Sequence, residues 1–552
     1  MKKIFIFLLI FYLTIAHAKS NLSILENENF LFPLLTPIDT NRYHSILSSK
    51  DLDPLHIGTL AVTYFLYGKK ENNKQYIKNA KNLLKILDNF PYKKENNSSC
   101  IYLYNFNDKS FKAKKWWSGM ANSSVALAYL YGYTITGNKN YKISAVKALN
   151  GTINPIQENG SALTLNKNSS WYLEFADINS TTENSQFVLN GFQFSLLVIK
   201  IFEQVLDNDK MRHAYFKGIN GFKLMSKKYY LDEEWIFYML NPATPTPPHY
   251  AIYDSLLISS LMMYDKKNHE FLFKEFEKRK KIFIKNYNLE KDENGNILFS
   301  AIGAPNPFWI DLYTTILRTH YKDSNTKDLV LNTSDFQNGL YKRSFKFIND
   351  SKNINSIEVL QNKYGHLISL YKVNVADIKN IDHNQSLPHF IDANKTVMYD
   401  LTKENNETFI IHYQEKDSKA VMRYIFNKPI DLMKKKYFAI FLKNEADLKY
   451  LQVTIIDIND NAISRYYPAQ KKGKNLILVS PLGFNGYSNI NSNIKEVRFY
   501  LGFNSSDLKR SKVDFSNLFY MNSNIPLYKL FSTNYMFNNE CFNFLTTHTG
   551  KH

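Results

Sequence analysis

The spacing of the apolar residues changes along the chain, and this change most constrains the fold. From Pro54 to about Arg318 the apolar residues recur mostly with the period of an α-helix, and turn signals separate the segments. After about residue 330 the period becomes two, which is typical of β-strands. A chain of 552 residues has room for two or three domains. We therefore predict a helical part followed by a β part.

Helical periodicity defines nine segments in the first part. Neighbouring segments form pairs joined by short polar loops with Gly, Asn or Lys, a pattern typical of helical hairpins that stack and close into an (α/α) barrel or toroid. Longer irregular inserts at 92–117, 152–184 and 229–249 are expected at its rim, where functional loops tend to lie. The predicted helices are 54–68, 72–88, 118–137, 139–151, 185–205, 211–228, 250–264, 268–286 and 307–321.

Short strand-like runs, separated by turns rich in Asn, Asp and Gly, fill the second part. They predict a β-sandwich of jelly-roll type, a shape that in exported proteins often resembles a carbohydrate-binding module. Asp457, Asp460 and Asn461 could hold a calcium ion, but a polar hairpin turn explains them better. The predicted strands are 365–374, 408–413, 421–426, 437–443, 450–458, 474–479, 494–503 and 513–521.

The amino terminus reads as a secretory signal. Lys2 and Lys3 precede a short apolar run, and Ala16-His17-Ala18 is a small-residue cleavage motif. No later segment has 18 consecutive apolar residues, so we expect an exported protein, periplasmic or secreted, with no integral membrane segment. The alternative is an uncleaved N-terminal anchor, which the Ala-x-Ala motif disfavours. The predicted regions are the signal peptide 1–18, an (α/α)-toroid domain 19–325, a β-rich connection 326–390, the sandwich 391–525, which is a candidate carbohydrate-binding domain, and a tail 526–552.

The formal net charge of +19 favours an anionic partner, which could be nucleic acid, a membrane surface or an acidic polysaccharide. The Lys residues are dispersed and form no Arg-rich block with interleaved aromatic residues, so nucleic acid is disfavoured. Cys100 and Cys541 are the two cysteines, and both a paired and a free state fit the sequence. A homodimer is one alternative for the assembly.

The segment from Trp171 to Ile199 combines features that a plain core helix would not need together. Its apolar run is interrupted at Asn190 and Gly191, and an acidic, aromatic stretch with Glu174 lies just upstream. A buried Asn costs free energy unless it is hydrogen-bonded. The segment therefore predicts a polar site on an apolar helical wall.

Three blocks of sequence, in their order and spacing, resemble the C-terminal helical domain of the D-glucuronyl C5-epimerase family. The resemblance covers about residues 50–285 and does not extend to the sandwich. Weaker similarities are Tyr238-Met239-Leu240, where the family has Tyr-Asp-Leu, Tyr250, where it has Tyr-His, and the helix around 273–279. The three blocks are WWSGMAN at 116–122, WYLE at 171–174 and FVLNGF at 187–192.

The resemblance implies inversion at C5 of D-glucuronate residues within a polysaccharide, which gives L-iduronate. The C5–H bond lies α to a carboxylate, so a base can remove the proton from one face once the carboxylate is neutralised, and an acid returns a proton to the other face. This chemistry requires neither a metal nor an organic cofactor in principle. The implied partner is an anionic, uronate-containing polysaccharide.

On this resemblance Tyr238 and Tyr250 are the candidate proton-transfer pair, and Glu174 is a further acid/base or orients one of them. A Tyr can serve only if nearby cations or hydrogen bonds lower its pKa. The alternatives are packing for the tyrosines and a helix cap or a surface ion pair for Glu174. The candidate substrate-binding residues are Asn190 and Asn122 as hydrogen-bonding groups, Trp116 and Trp171 as stacking groups, and His249.

The chain departs from the family pattern at three positions. Phe175 follows Glu174 where the family has Tyr, Asn241 stands where it has Arg, and Ala251 follows Tyr250 where it has His. Loss of the Arg removes a bidentate partner for a uronate carboxylate. The cations nearest in sequence that could replace it are Arg212, Lys217 and His249.

Three other functions remain as alternatives. A uronate polysaccharide lyase would use the same type of scaffold and begin with the same C5 proton abstraction. A non-catalytic glycan-binding protein would use the aromatic rings of the candidate tyrosines but would seldom need their hydroxyl protons. A glycoside hydrolase would need two carboxylates at the rim, and Glu174 with Asp254 is the best pair in the sequence.

Overall fold

The computed structural model of the chain has two compact units. Unit 1 comprises residues 1–241 and 252–279, and unit 2 comprises residues 242–251 and 280–552. The signal peptide 1–18, the tail 526–552 and Cys541 lie outside the described residues. The structure describes residues 23–27, 31–36, 38–48, 52–104, 115–231, 235–241, 243–246, 248–284, 287–291, 295, 297–301, 314–331, 344–348, 353–363, 366–380, 391–398, 401–403, 408–412, 420–431, 437–446, 448–467, 472–479, 490–503, 510–516 and 518–521.

Nine α-helices lie in this described part, and the last of them ends at Ile284. The hairpins α2–α3, α4–α5 and α6–α7 form as the periodicity predicts, and α4 packs against both α2 and α6. The helices are α1 (Thr40–Ser48), α2 (Pro54–Lys70), α3 (Lys74–Asp88), α4 (Gly119–Thr136), α5 (Lys139–Ile153), α6 (Leu189–Leu206), α7 (Asp209–Met225), α8 (Pro248–Tyr264) and α9 (His269–Ile284).

Capping residues set the ends of these helices. The side chains of Asp53, Asn73 and Asn208 accept backbone hydrogen bonds at the starts of α2, α3 and α7. Gly137 ends α4 in the left-handed conformation at φ 72°, which glycine adopts without steric cost. Asp and Asn side chains in the polar loops are therefore the signals that start these three helices.

Short strands occupy the inserts between the helices, which the sequence predicts as irregular. They are too short to show a period over a window of residues, so the pattern misses them. Strands β1–β3 form one sheet, β4 pairs with β5, and β6 pairs with β7. The strands are β1 (Lys93–Glu95), β2 (Cys100–Tyr104), β3 (Trp116–Trp117), β4 (Ala162–Asn166), β5 (Ser169–Tyr172), β6 (Tyr230–Leu231), β7 (Trp235–Leu240) and β8 (Ala243–Pro245).

The helix α6 is the central core element of unit 1. Among the described residues, α6 is long and apolar enough to cross a membrane. However, 78% of it is buried inside the protein, and the core helix of a soluble protein can have the same length and composition.

Cys100 is buried in β2, and burial raises the pKa of its thiol to about 11.

Unit 2 is built from antiparallel sheets. The orders are β13-β10-β9, β12-β11-β14-β15, β16-β19-β24-β21-β22 and β17-β18-β25-β20-β23, with β26 also paired to β20. The strands are β9 (Tyr287–Lys291), β10 (Ile297–Ala301), β11 (Thr314–Tyr321), β12 (Thr326–Leu331), β13 (Ser344–Ile348), β14 (Ile354–Lys363), β15 (His366–Asn374), β16 (Ala393–Met398), β17 (Leu401–Lys403), β18 (Thr408–His412), β19 (Ala420–Asp431), β20 (Tyr437–Asn444), β21 (Leu448–Asp457), β22 (Ala462–Tyr467), β23 (Gly473–Val479), β24 (Asn493–Phe503), β25 (Arg510–Phe515) and β26 (Phe519–Met521).

The two largest sheets pack on each other. The ring of Phe499 on β24 lies 6.4 Å from that of Phe515 on β25, and the Tyr424 hydroxyl on β19 donates to the Ser516 carbonyl at 2.7 Å. The predicted sequence of helices followed by β-sheets is thus confirmed, and each of the eight predicted strands overlaps an observed one.

The prediction of a helix at 307–321 was wrong for its described part, because Thr314–Tyr321 is strand β11. Its β-branched residues Thr314, Thr315, Ile316 and Thr319 explain the difference, since branching at Cβ favours a pleated strand. Residues 307–313 lie outside the described residues.

The turn between β21 and β22 is organised by Asp457. Its carboxylate accepts hydrogen bonds from the backbone N–H groups of Asn459, Asn461 and Asn491 at 2.8–2.9 Å and from the Asn461 amide at 2.9 Å. These bonds occupy both carboxylate oxygens, so the polar-turn interpretation holds. Among the residues that the structure describes, no group of three or more His, Cys, Asp or Glu could hold a metal ion.

Candidate active site

The amino-terminal ends of α2, α4 and α6 meet beside the segment 173–176. The N–H of Gly119, at the start of α4, donates to the Leu173 carbonyl at 2.8 Å. Trp117 and Ala176 exchange two backbone hydrogen bonds of 2.9 Å. These bonds fix Glu174 next to the first turn of α4.

The side chain of Glu174 lies over the first turn of α6. A Cβ atom placed on Gly191 would come within 2.1 Å of the Glu174 Oε2 atom and 2.7 Å of its Cβ. The residue that caps α6, Val188, offers no side-chain acceptor. The half-buried carboxylate therefore lies at the positive end of an α-helix, where negative charge is favoured. Gly191 interrupts the apolar run because only a hydrogen leaves room for this carboxylate.

Asn190 neighbours this contact. Its side chain is buried, and the side-chain oxygen makes no hydrogen bond with any residue in the described ranges. A buried amide oxygen without a donor costs free energy, so packing alone does not account for an Asn at this position.

A stack of aromatic rings flanks Glu174. The rings of Trp116 and Tyr104 are parallel within 12° with centroids 4.1 Å apart, and the Phe175 ring lies 5.0 Å from that of Trp116. The Tyr104 hydroxyl donates to Asp53 Oδ1 at 2.8 Å. Burial and the nearby carboxylates of Asp53 and Glu174 raise the pKa of Tyr104 well above its usual value. Tyr104 is therefore a protonated donor at neutral pH.

Trp171 and Asn122, both predicted to bind substrate, lie in the interior. Trp171 is fully buried and stacks on Phe192 at 3.7 Å. The Asn122 side chain accepts from the Tyr102 N–H at 3.1 Å and donates to the Gly151 carbonyl at 3.2 Å. In this structure their partners are protein groups, and they support the wall behind the site. Trp116, covered by its two ring partners, is also buried.

The strand that carries Tyr238 is anchored to the segment that leads into α6. The N–H groups of Leu240 and Asn241, at the end of β7, both donate to the Gln186 carbonyl, at 3.0 and 3.2 Å. Tyr238 is half-buried on this strand. The structure thus brings the strand of Tyr238 to the same end of α6 as Glu174.

His249 and Tyr250 belong to the first turn of α8, and their side chains lie outside the described residues. Of the candidate cations, Arg212 is exposed and pairs with Asp207 and Asp209 at the turn between α6 and α7. That turn is at the opposite end of α6 from Glu174. Arg212 is therefore badly placed to replace the Arg lost at position 241.

A buried ionic cluster lies behind the start of α6, and sequence reasoning did not identify it as a unit. Asp254 on α8 and Arg279 on α9 have only 1% and 2% of their surface exposed. The charges of both side chains act on the pKa of the nearby Tyr229. It donates a hydrogen bond to the Phe187 carbonyl and stacks on Trp171, with centroids 5.7 Å apart. The cluster thereby supports Phe187, whose backbone has the uncommon φ of 52° just before α6.

Burial raises the pKa of Asp254 to about 7, although the Arg279 charge opposes the shift. The Arg279 guanidinium lies 4.0 Å from the Glu275 carboxylate and interacts with Tyr230. Asp254 is thus an interior group beside a cation and not the rim carboxylate that the Glu174–Asp254 pair of a hydrolase assumes. The sequence feature that could have indicated this cluster is an Asp within the apolar sequence of α8.

Residues 95–281 match the family model described as D-glucuronyl C5-epimerase C-terminus. The match includes the WSGMA, WYLE and FVLNGF blocks and confirms the resemblance of this part of the chain to that family. It supports a carbohydrate-modifying function.

Other comparisons give weaker similarity. An uncharacterized protein of Methanocaldococcus jannaschii is 28% identical over 142 residues, which are 25% of this chain and 44% of that protein. The chain therefore matches less than half the length of this curated relative.

Solved structures resemble only parts of the chain, and their TM-scores are too low to carry an argument. An alpha-mannanase of glycoside hydrolase family 76 from Bacteroides thetaiotaomicron has 15% identity and a TM-score of 0.30, covering 44% of this chain and 59% of its own. An unsaturated glucuronyl hydrolase from Streptococcus agalactiae has 12% identity and a TM-score of 0.30, covering 48% and 62%. A family 11 carbohydrate-binding module from Clostridium thermocellum has 13% identity and a TM-score of 0.18, covering 26% and 91%.

We predict that Gly191→Ala destabilises unit 1, although alanine ordinarily favours a helix over glycine by about 1 kcal/mol. The new Cβ would overlap Glu174, and overpacking of this kind costs about 1–3 kcal/mol. Thermal unfolding measures the effect. The destabilisation should disappear in a Glu174→Gly background, because that change removes the three atoms that the new Cβ would meet most closely. Destabilisation of the same size in the Glu174→Gly background would show that the new Cβ does not overlap Glu174.

We also predict a pH-dependent stability difference between the wild type and Asp254→Asn. The folded pKa of about 7 lies above the ordinary value of 3.8, so the folded state holds an extra proton between these values. The wild type should therefore lose stability relative to the variant as the pH rises from about 4 to 7, by up to roughly 4 kcal/mol. Urea unfolding followed by tryptophan fluorescence reports it. The exposed Asp209→Asn serves as control and should show no such trend.

Proposed function

We propose, from the match of residues 95–281 to the D-glucuronyl C5-epimerase C-terminus family, that this protein inverts C5 of D-glucuronate residues in an exported polysaccharide. In this proposal the helical hairpins belong to an (α/α) toroid and the packed sheets to a jelly-roll domain. The observation that carries the proposal is the Glu174 carboxylate, which is held over Gly191 at the start of α6. A carboxylate fixed in this way is a positioned acid/base group.

The proposed reaction breaks the C5–H bond, and its electron pair passes into the adjacent carboxylate to give an enediolate. A new C5–H bond then forms on the opposite face, so no oxidation or reduction occurs. Tyr238 and Tyr250 are the proposed proton-transfer pair, and Glu174 takes part in the transfer or orients one of them.

Two local features support a central role for Glu174. Phe175 has no hydroxyl and packs on Trp116, so it cannot supply the proton transfer of the family's Tyr at this position. Tyr104, the nearby tyrosine, has its pKa raised and donates to Asp53, so it is unsuited to remove a proton. The other carboxylate beside this aromatic stack, Asp53, accepts from Tyr104 and caps α2, which leaves Glu174 as the proposed acid/base group.

The direct test incubates the full chain with glucuronate polymers (hyaluronan, chondroitin and heparosan) in D₂O. We expect deuterium at C5 and new L-iduronate signals in the NMR spectrum, with unchanged chain length. Glu174→Gln keeps the shape but removes the acid/base function, so exchange should fall by about 10²–10⁴-fold. The exposed Glu183→Gln is the matched control and should retain exchange.

Tyr238→Phe and Tyr250→Phe should each lower exchange by at least about 10²-fold while the polymer still binds, because they remove the hydroxyl and keep the ring. Tyr92→Phe deletes a hydroxyl from an exposed ring and should have no effect. Ultraviolet absorbance of an unsaturated uronate would instead assign a lyase. Binding without C5 exchange on any polymer would contradict the epimerase and indicate a glycan-binding protein.

A further inference from the structure

The sheet β16-β19-β24-β21-β22 has two different faces. Met422, Tyr424 and Phe499 point into the sandwich core, where each is buried. On the opposite face the strand register aligns one polar row across the sheet. The row consists of Thr396, Arg423, Arg498, Thr454 and Ser464.

The adjacent row on the same face adds an aromatic ring and an amide. Tyr500, two residues beyond Arg498 on β24, is paired across the sheet with Gln452 on β21. Both side chains are half-buried. A ring, an amide and two guanidinium groups are thereby placed side by side.

This polar row is more shielded than an ordinary solvated sheet face. The side chains of Arg423 and Arg498 are only 25% and 29% exposed, and Thr454 is buried. The Thr396 hydroxyl, beside Arg423, is buried and makes no hydrogen bond to a residue in the described ranges. Thr454 is satisfied by the Ser464 hydroxyl at 2.7 Å, whereas the buried Thr396 hydroxyl still needs a partner.

The charges of the row do not cancel. Arg423 and Arg498 both bind Glu496 through Nε and Nη2, and these two cations outweigh the burial of Glu496 and lower its pKa to about 2. Two guanidinium groups share one carboxylate, so the cluster keeps one positive charge. Arg498 also interacts with the Tyr500 hydroxyl, and the Nη1 groups, which are not used for Glu496, can donate to a further acceptor.

We propose that this row, with Tyr500 and Gln452, is a second binding site, which takes a uronate residue of an acidic polysaccharide. The sugar carboxylate accepts from the guanidinium groups, its hydroxyls bond to Gln452 and Thr454, and the Tyr500 ring packs on the sugar face. The excess positive charge selects an anionic chain over a neutral one. This is a binding activity in unit 2 and adds to the catalysis proposed for unit 1.

The test measures binding of the full-length Glu174→Gln protein to hyaluronan, chondroitin and heparosan by isothermal titration, with dextran as the neutral polymer. Arg498→Met should weaken binding to at least one glucuronate polymer by about 10-fold or more, because it removes a charged donor. The matched control is Arg318→Met, which loses the same charge from a similarly half-buried pair with Asp328 on another sheet. It should bind as before.

Tyr500→Leu provides an independent variant, since it keeps both guanidinium groups and the Glu496 carboxylate and removes the aromatic ring with its hydroxyl; it should also weaken binding. Melting curves establish that each variant is folded. Equal losses in Arg498→Met and Arg318→Met, equal binding of dextran, or unchanged binding in both Arg498→Met and Tyr500→Leu would overturn the proposal.

The outcome is separable from that of the catalytic proposal. In an otherwise wild-type chain, Arg498→Met should leave C5 exchange on a short oligosaccharide unchanged and raise the KM for the long polymer. Absence of C5 exchange in the wild type would refute the epimerase and leave the binding result standing.

Discussion

The carboxylate of Glu174 lies in the space that a side chain at position 191 would occupy, and the geometry of the candidate site depends on this close contact. Backbone hydrogen bonds from Trp117 and Gly119 hold the segment around Glu174 on its other side. The starts of α4 and α6 are therefore coupled through a few residues. A shift of either helix would move the carboxylate, so the rigidity of this corner is a condition for any proton transfer that Glu174 performs.

The departures from the family pattern have acquired packing roles. Phe175 lies against the Trp116 ring, and the Asn241 amide donates to the Glu183 carbonyl at 2.9 Å, which ties down the loop before α6. Where the family has a hydroxyl and a guanidinium, this chain has groups that pack within the protein. A similar scaffold can carry different polar groups, so the family match alone does not determine the reaction.

The sequence predicts elements whose signals are local. The helix α2 was predictable because Asp53 and Pro54 mark its start, and strands such as β24 because their apolar residues alternate. The Asn190-Gly191 interruption also pointed to a polar site. The proximity of Asp254 to Arg279 could not be predicted, since 25 positions separate them in the sequence and only tertiary structure brings them together. Strand β11 was missed because a short apolar run fits either period.

Two ionic clusters show how position decides protonation. At Asp254, loss of water outweighs one cation and raises the pKa to about 7. At Glu496, two guanidinium groups outweigh burial and lower the pKa to about 2. The first carboxyl gains or loses a proton near neutral pH, whereas the second stays charged. Glu496 therefore stays ionised when a sugar carboxylate binds near the second cluster at neutral pH. The sugar carboxylate would have to bind the guanidinium edges that Glu496 leaves unused, which favours a shallow, exchangeable contact over a buried one.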